Sequence, residues 1–157
     1  MYPIAAKGTT MYKIFLLITL ISINGVVHSS NHSNNFKAKI FVEQYISDFN
    51  QQKDINRFFH FPVVWLVDDT SVPKIESDAS KKLIDYDKLK KTGWVKSTIN
   101  DLKVIHQSKN RSFVLLDFSR LDSNNNQMLR SEVMYTITKR KNNWGISIVA
   151  SASPIVR

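Results

Sequence analysis

Apolar and polar residues alternate in four runs that fill the carboxyl half of the chain. Residues 101–107 (DLKVIHQ), 112–120 (SFVLLDFSR), 128–139 (MLRSEVMYTITK) and 144–150 (WGISIVA) follow one another through short polar turns. A two-residue period belongs to a half-buried strand, and short turns join antiparallel neighbours. The turn from Asp122 to Gln127 is built of residues that tolerate tight backbone geometry. The runs therefore predict a small curved antiparallel sheet, and its concave face has to be filled by the elements upstream.

Upstream the period changes. Ala38, Phe41, Val42, Tyr45, Ile46 and Phe49 recur at three-and-four spacing, while Lys37, Lys39, Glu43, Gln44, Ser47 and Asp48 take the opposite face, which predicts an amphipathic helix. Phe36 and Ile40 lie off the stripe and point to a second contact near the helix start. Asn50 to Lys53 break the pattern, and Asp54 is placed to cap a short helix through Ile55, Phe58 and Phe59 that Pro62 stops. Phe61 precedes proline and should be extended, so Val63 to Val67 reads as a strand buried on both sides. The polar stretch 68–80 predicts a loop or short hairpin, and Tyr86 to Lys91 a last short helix ended by Gly93. Trp94 is large enough to close one end of a core. Helix, short helix, strand, short helix and four strands make an α+β domain with its helices on one face.

Composition then bounds the class. Lys13 precedes the uncharged apolar run Ile14–Ile23, and Val27-His28-Ser29 supplies small residues for cleavage, so residues 1–29 read as a secretory signal peptide. Met11 gives that signal ordinary proportions, which makes 1–10 an extension ahead of the natural start. The run is shorter than the about 20 residues needed to cross a bilayer, so no integral span is expected after cleavage. A retained amino-terminal anchor is the alternative. Residues 30–35 read as a flexible leader and 36–157 as one domain. Of 22 basic and 13 acidic side chains, removal of Lys7 and Lys13 leaves 20 against 13, a net +7. With no cysteine in the chain, the core must hold the fold without disulfides in a periplasmic or extracellular setting.

The helix FVEQYISDFNQQKDINRFFHFP followed by an apolar strand, the Gly93-Trp94 pair with Ser97, and then VLLDFSR, MYTITKR and NNWGIS resemble the nuclear transport factor 2-like superfamily, within it the SnoaL-like domains. The resemblance covers about 36–151. It implies a cone-shaped, cystatin-like roll: a strongly bent antiparallel sheet wraps the first helix and leaves a pocket at the wide end. It also implies a choice of roles, because members include isomerases, dehydratases, cyclases and hydrolases as well as binding and assembly modules. Family enzymes place an acidic or histidine base deep in the pocket, often with a tyrosine donor.

Tyr45, Phe49, Trp65, Trp94, Phe113 and Leu115 are the expected pocket lining. Asp117, His60 and His106 are the candidate bases, with Tyr135 or Tyr45 as proton donor. Asp117 interrupts the apolar run Phe113–Phe118, and alternation sets it with Phe113, Leu115 and Ser119, opposite Val114, Leu116, Phe118 and Arg120. If the first set lines the concavity Asp117 faces the pocket; otherwise it is solvated or paired with a cation such as Arg130. The histidines have a structural alternative as hydrogen-bonded residues among aromatics. No His, Asp or Glu spacing suits a metal, no serine sits in a nucleophile elbow, and no cofactor is implied. Seven lysines between 74 and 96 could steer anions, yet no aromatics are interleaved for base stacking, so nucleic acid is not expected and a solubilising surface is the simpler reading. Three functions remain open: an exported module holding a small hydrophobic molecule, with a homodimer formed through the sheet; a cofactor-independent isomerase, dehydratase or cyclase; and an envelope protein that docks partners on its sheet.

Overall fold

The computed structural model describes residues 36–67 and 72–152. The signal peptide and leader read over 1–35, and residues 68–71 of the polar loop, lie outside the described residues. Among the described residues no helix is long and apolar enough to cross a membrane.

The elements run α1 (Ala38–Asn50), a 3-10 turn (Asn56–Phe58), β1 (Phe59–Val67), β2 (Lys74–Glu76), α2 (Tyr86–Lys91), β3 (Lys96–Gln107), β4 (Arg111–Leu121), β5 (Gln127–Arg140) and β6 (Asn143–Ser151). Six strands form one sheet in the order β2-β1-β6-β5-β4-β3. Only the β1–β6 pair is parallel. The four carboxyl-side runs are thus consecutive antiparallel strands, each a few residues longer than its alternation suggested. Lys141 and Asn142 join β5 to β6 with φ of 46° and 73°, the paired left-handed conformations of a tight hairpin.

Alternation decides which side chains fill the concave face. Val114, Leu116 and Phe118 of β4, Val133, Tyr135 and Ile137 of β5, Ile146 and Val149 of β6, and Val63, Trp65 and Val67 of β1 are buried. Against them α1 buries Ala38, Val42, Tyr45, Ile46 and Phe49. Full burial of an aliphatic side chain contributes about 1.5–3 kcal/mol, so this shared core is the principal stabiliser. Trp94, 2% exposed, closes one end of it against Phe49, with ring centroids 5.3 Å apart. Asp85 caps α2 by accepting from the Lys88 N–H, and Gly93 follows that helix with φ of 93°.

Several sequence expectations are corrected. The short helix before Pro62 is a single 3-10 turn, and Phe59 already begins β1. Pro62 lies inside that strand after a cis peptide bond. The β1–β6 register shifts between Phe59 and Val64, a place where a residue without an N–H is tolerated. β1 is not buried on both sides: Val63, Trp65 and Val67 face the core while Leu66 is 43% exposed. Asp48, expected on the polar face of α1, is fully buried, with Gln44, Lys53 and Arg57 all donating to its carboxylate. Burial raises its pKa, but those donors outweigh the effect and hold it below the ordinary value. Phe36 makes the second contact at the helix start by stacking on Trp144, whereas Ile40 points to solvent.

Candidate functional site

Between α1 and the inner face of the sheet lies a cavity of about 30 Å³, room for about two water molecules. Tyr45, Ile46 and Phe49 come from α1, Trp65 from β1, Ser97 from β3, Leu116, Phe118 and Arg120 from β4, Val133 and Tyr135 from β5, and Val149 from β6. Ile84, on the strap that precedes α2, completes the wall.

One charged side chain lines the cavity. Arg120 is only 5% exposed and sits near the Phe118 ring, its guanidinium carbon 5.9 Å from the centroid. Tyr45 and Tyr135 pack edge to face beside it at 5.9 Å, and their hydroxyls hydrogen-bond to each other. Burial pushes the Tyr45 pKa up to about 12, partly offset by the bond from Tyr135 and the positive charge of Arg120. Tyr135 is raised well above the ordinary phenol value by burial and by Tyr45. Burial pulls the Arg120 pKa down while the two phenols push it back up, and an arginine remains a cation throughout this range. A guanidinium offers five donors in a fixed fork, here held among rings and aliphatic groups.

Of the residues singled out in the sequence, Tyr45, Phe49 and Trp65, and the candidate donor Tyr135, stand in the cavity wall. Trp94 stands one layer behind, its indole N–H donating to the Ser97 hydroxyl at 3.1 Å. Phe113 and Leu115 are corrections: they pair directly with Thr136 and Met134 on the outer face. Asp117 shares that outer face and never meets the cavity. Arg130 clasps it through Nε at 3.0 Å and Nη2 at 2.6 Å, and Asn100 donates at 2.9 Å. These donors, Arg130 first, lower its pKa to about 2. His106 is exposed near Phe113, and His60 lies with Nδ1 3.3 Å from the Thr138 hydroxyl, so neither histidine reaches the cavity. Burial and the charge of Arg140 lower the His60 pKa.

Sequence reasoning missed Arg120 as a site residue, although its signal is visible: alternation set this arginine with Val114, Leu116 and Phe118, the strand's most apolar set. Ile84 lies in a polar stretch without periodicity, so nothing local marked it. Among the described residues no group of three or more metal-ligating side chains converges.

A bent six-stranded sheet closed over an amino-terminal helix, with a cavity between them, defines the class of cystatin-like, nuclear transport factor 2-like domains. Residues 35–154 match the model of the family described as NTF2-like protein (DUF6841), and the chain belongs to that family. Among solved structures it is similar to a domain of unknown function with a cystatin-like fold from Nostoc punctiforme, at 10% identity over 81% of each chain with a TM-score of 0.57. It is also similar to an NTF2-like protein of unknown function from Pseudomonas putida, at 9% identity over 74% of this chain and 83% of that one, TM-score 0.54. A third is an NTF2-like protein with a cystatin-like fold from Novosphingobium aromaticivorans, at 9% identity over 76% and 80%, TM-score 0.54. At such identities the likeness is one of fold alone. No curated protein matches the chain significantly.

Proposed function

We propose that the protein is an exported binding module whose cavity takes a small, flat apolar molecule carrying an oxygen acceptor at one end. The observation that carries this reading is Arg120: a buried guanidinium flanked by two phenols in a wall otherwise made of rings, aliphatic side chains and Ser97. Pockets of this composition orient an apolar ligand through a few convergent polar groups. Export is supported by the amino-terminal sequence pattern alone.

Acid–base catalysis has less support. It needs a group that titrates near neutral pH within reach of the substrate. The ionisable groups at the cavity are Tyr45, at about 12, Tyr135, also raised by burial, and Arg120, while Asp117 and both histidines lie elsewhere.

The test is a ligand-observed NMR screen of flat aromatic acids, alcohols and hydrocarbons against wild type, Arg120→Met and Leu116→Trp, with circular dichroism confirming each fold. Binding that Leu116→Trp abolishes and Arg120→Met weakens selectively for oxygen-bearing ligands is expected. Absence of binding at millimolar concentration, or binding indifferent to both substitutions, would overturn the proposal.

A second reading, assembly through the sheet, rests on the outer face. Leu115, Met134, Ala150 and Leu66 stand directly opposite one another in a row across four strands, and Phe113, Thr136, Ile148, Val64 and Ile75 make a parallel row across five. Directly paired residues project to the same side, so the rows form one apolar band that a two-fold axis would stack on itself. Light scattering should then give a dimer for wild type and a monomer for Met134→Asp; a monomeric wild type at 100-fold the usual working concentration rules the band out as a self-contact.

A further inference from the structure

The inner cavity, at about 30 Å³, is far smaller than the roughly 300 Å³ or more of an ordinary ligand pocket. A much larger groove of about 540 Å³ lies outside it, and Ile84 lines both. Ile84, itself only 5% exposed, thus stands between the two spaces, beside Tyr86 of the groove wall, whose ring packs on Phe49 of the cavity wall at 5.5 Å. Ile84 sits on a strap, residues 77–85, that has neither helix nor strand to brace it. Two side chains of the body hold this strap: the Asn56 carboxamide donates to the carbonyls of Ala79 at 3.1 Å and Lys81 at 2.8 Å and accepts from the Leu83 N–H at 3.2 Å, and the Glu76 carboxylate accepts from Lys81 Nζ at 3.0 Å and the Asp78 N–H at 3.4 Å. The groove is rimmed by Lys81, Lys82 and Lys90 against Asp85 and Asp87. Lys90 lies 3.9 Å from Asp87 and Lys81 is 3.0 Å from Glu76, which leaves Lys82 and Asp85 to balance each other, so the mouth carries no net charge.

We propose that Ile84 is the gate of the binding site: when the Asn56-latched strap swings outward, groove and cavity join and admit a small aromatic carboxylate, whose anionic end seats on Arg120. The inference rests on the binding function proposed above and adds the ligand's charge and its way in. The buried Arg120 guanidinium, the one charged group in the cavity wall, favours an anion over its neutral analogue. In the closed state the cavity cannot hold the ring, so apparent affinity is reduced by the fraction of molecules that are open.

The experiment uses 1-naphthoate and its uncharged analogue 1-naphthylmethanol as probes, with association rates from stopped-flow fluorescence and affinities from titration calorimetry. Ile84→Ala removes the plug, and Asn56→Ala frees the strap while leaving the plug in place, so the pair remains informative if one variant folds poorly. Both should bind naphthoate at least about tenfold faster than wild type, with the acid preferred over the alcohol and the preference lost in Arg120→Met. Equal rates in wild type and both variants would overturn the gate while leaving the binding function intact. Equal affinity for acid and alcohol would overturn the assignment of an anionic ligand. Failure of the opened variants to bind either probe would overturn the gate and the binding function together.

Discussion

Asn50 and Ser97 exchange two hydrogen bonds: the Asn50 amide donates to the Ser97 carbonyl at 2.8 Å, and the Ser97 N–H donates to the Asn50 side-chain oxygen at 2.7 Å. A carboxamide at the end of α1 thus acts as a strand partner for the first residues of β3, and this fastens the helix into the curve of the sheet. Ser97 is 4% exposed and also receives the Trp94 indole N–H, so its main chain has little access to water as a substitute.

Removal of the clasp strands two buried main-chain groups, each costing about 1–3 kcal/mol when unsatisfied. Asn50→Ala is therefore expected to lower unfolding stability by roughly 2–4 kcal/mol in urea denaturation. Asn50→Asp keeps the acceptor and loses the donor, and should fall between wild type and alanine. A loss below about 0.5 kcal/mol for alanine, the range of an ordinary surface change, contradicts the clasp.

The Asp117–Arg130 pair predicts an acid dependence. The folded-state pKa of Asp117 is lowered from 3.8 to about 2, so the pair stabilises the fold above the ordinary carboxylate pKa. That contribution is lost as pH falls through the interval between about 4 and about 2. Thermal unfolding of wild type and Asp117→Asn should differ most at pH 5–6 and converge toward pH 2. A difference independent of pH would mean that packing, not charge, carries the effect. The same variant should bind naphthoate like wild type, because the side chain lies on the opposite face of the sheet.

Gly145 and His60 share a space that has no room for another carbon. A Cβ on Gly145 would lie 2.5 Å from His60 Cδ2 and 2.8 Å from Nε2. Gly145→Ala should destabilise by about 1–3 kcal/mol through overpacking. His60→Ala introduced with it should restore most of that loss in a double-mutant cycle, and additive effects would show that the ring and the glycine do not interact.

The buried phenols set an alkaline limit. Tyr45 is raised to about 12 by burial, and Tyr135 is also raised. Raised values mean that the neutral forms suit the fold below the free phenol pKa of about 10, and that stability falls as pH climbs from there toward the folded values. Absorbance at 295 nm should show late tyrosine ionisation coinciding with loss of the far-ultraviolet signal above about pH 11. Full ionisation of all tyrosines near pH 10 with the fold intact would contradict their burial.

Local order was legible in the residues. The stripe from Ala38 to Phe49 and the alternation from Asp101 onward report periodicities of the helix and the strand, which are properties of neighbours along the chain. Gly93 and Asp122 to Gln127 marked their turns for the same reason. At Asp117 alternation leaves two possibilities, since it divides a strand into two sets. Which set faces inward depends on where α1 lies, a contact between residues distant in sequence, and α1 chose Val114, Leu116 and Phe118. That one choice moved Asp117, Phe113 and Leu115 to the outer surface and carried Arg120 into the cavity.

The chain's own pattern of apolar and polar residues determined the elements, their order and the α+β class, because each follows from spacing along one segment. Tertiary packing alone decided the site. Arg120, Tyr45 and Tyr135 meet only because the sheet curls round α1, and Ile84 joins the cavity wall only because its strap folds back against Asn56 and Glu76. Such convergence is a property of distances through space, and no run of adjacent residues encodes it.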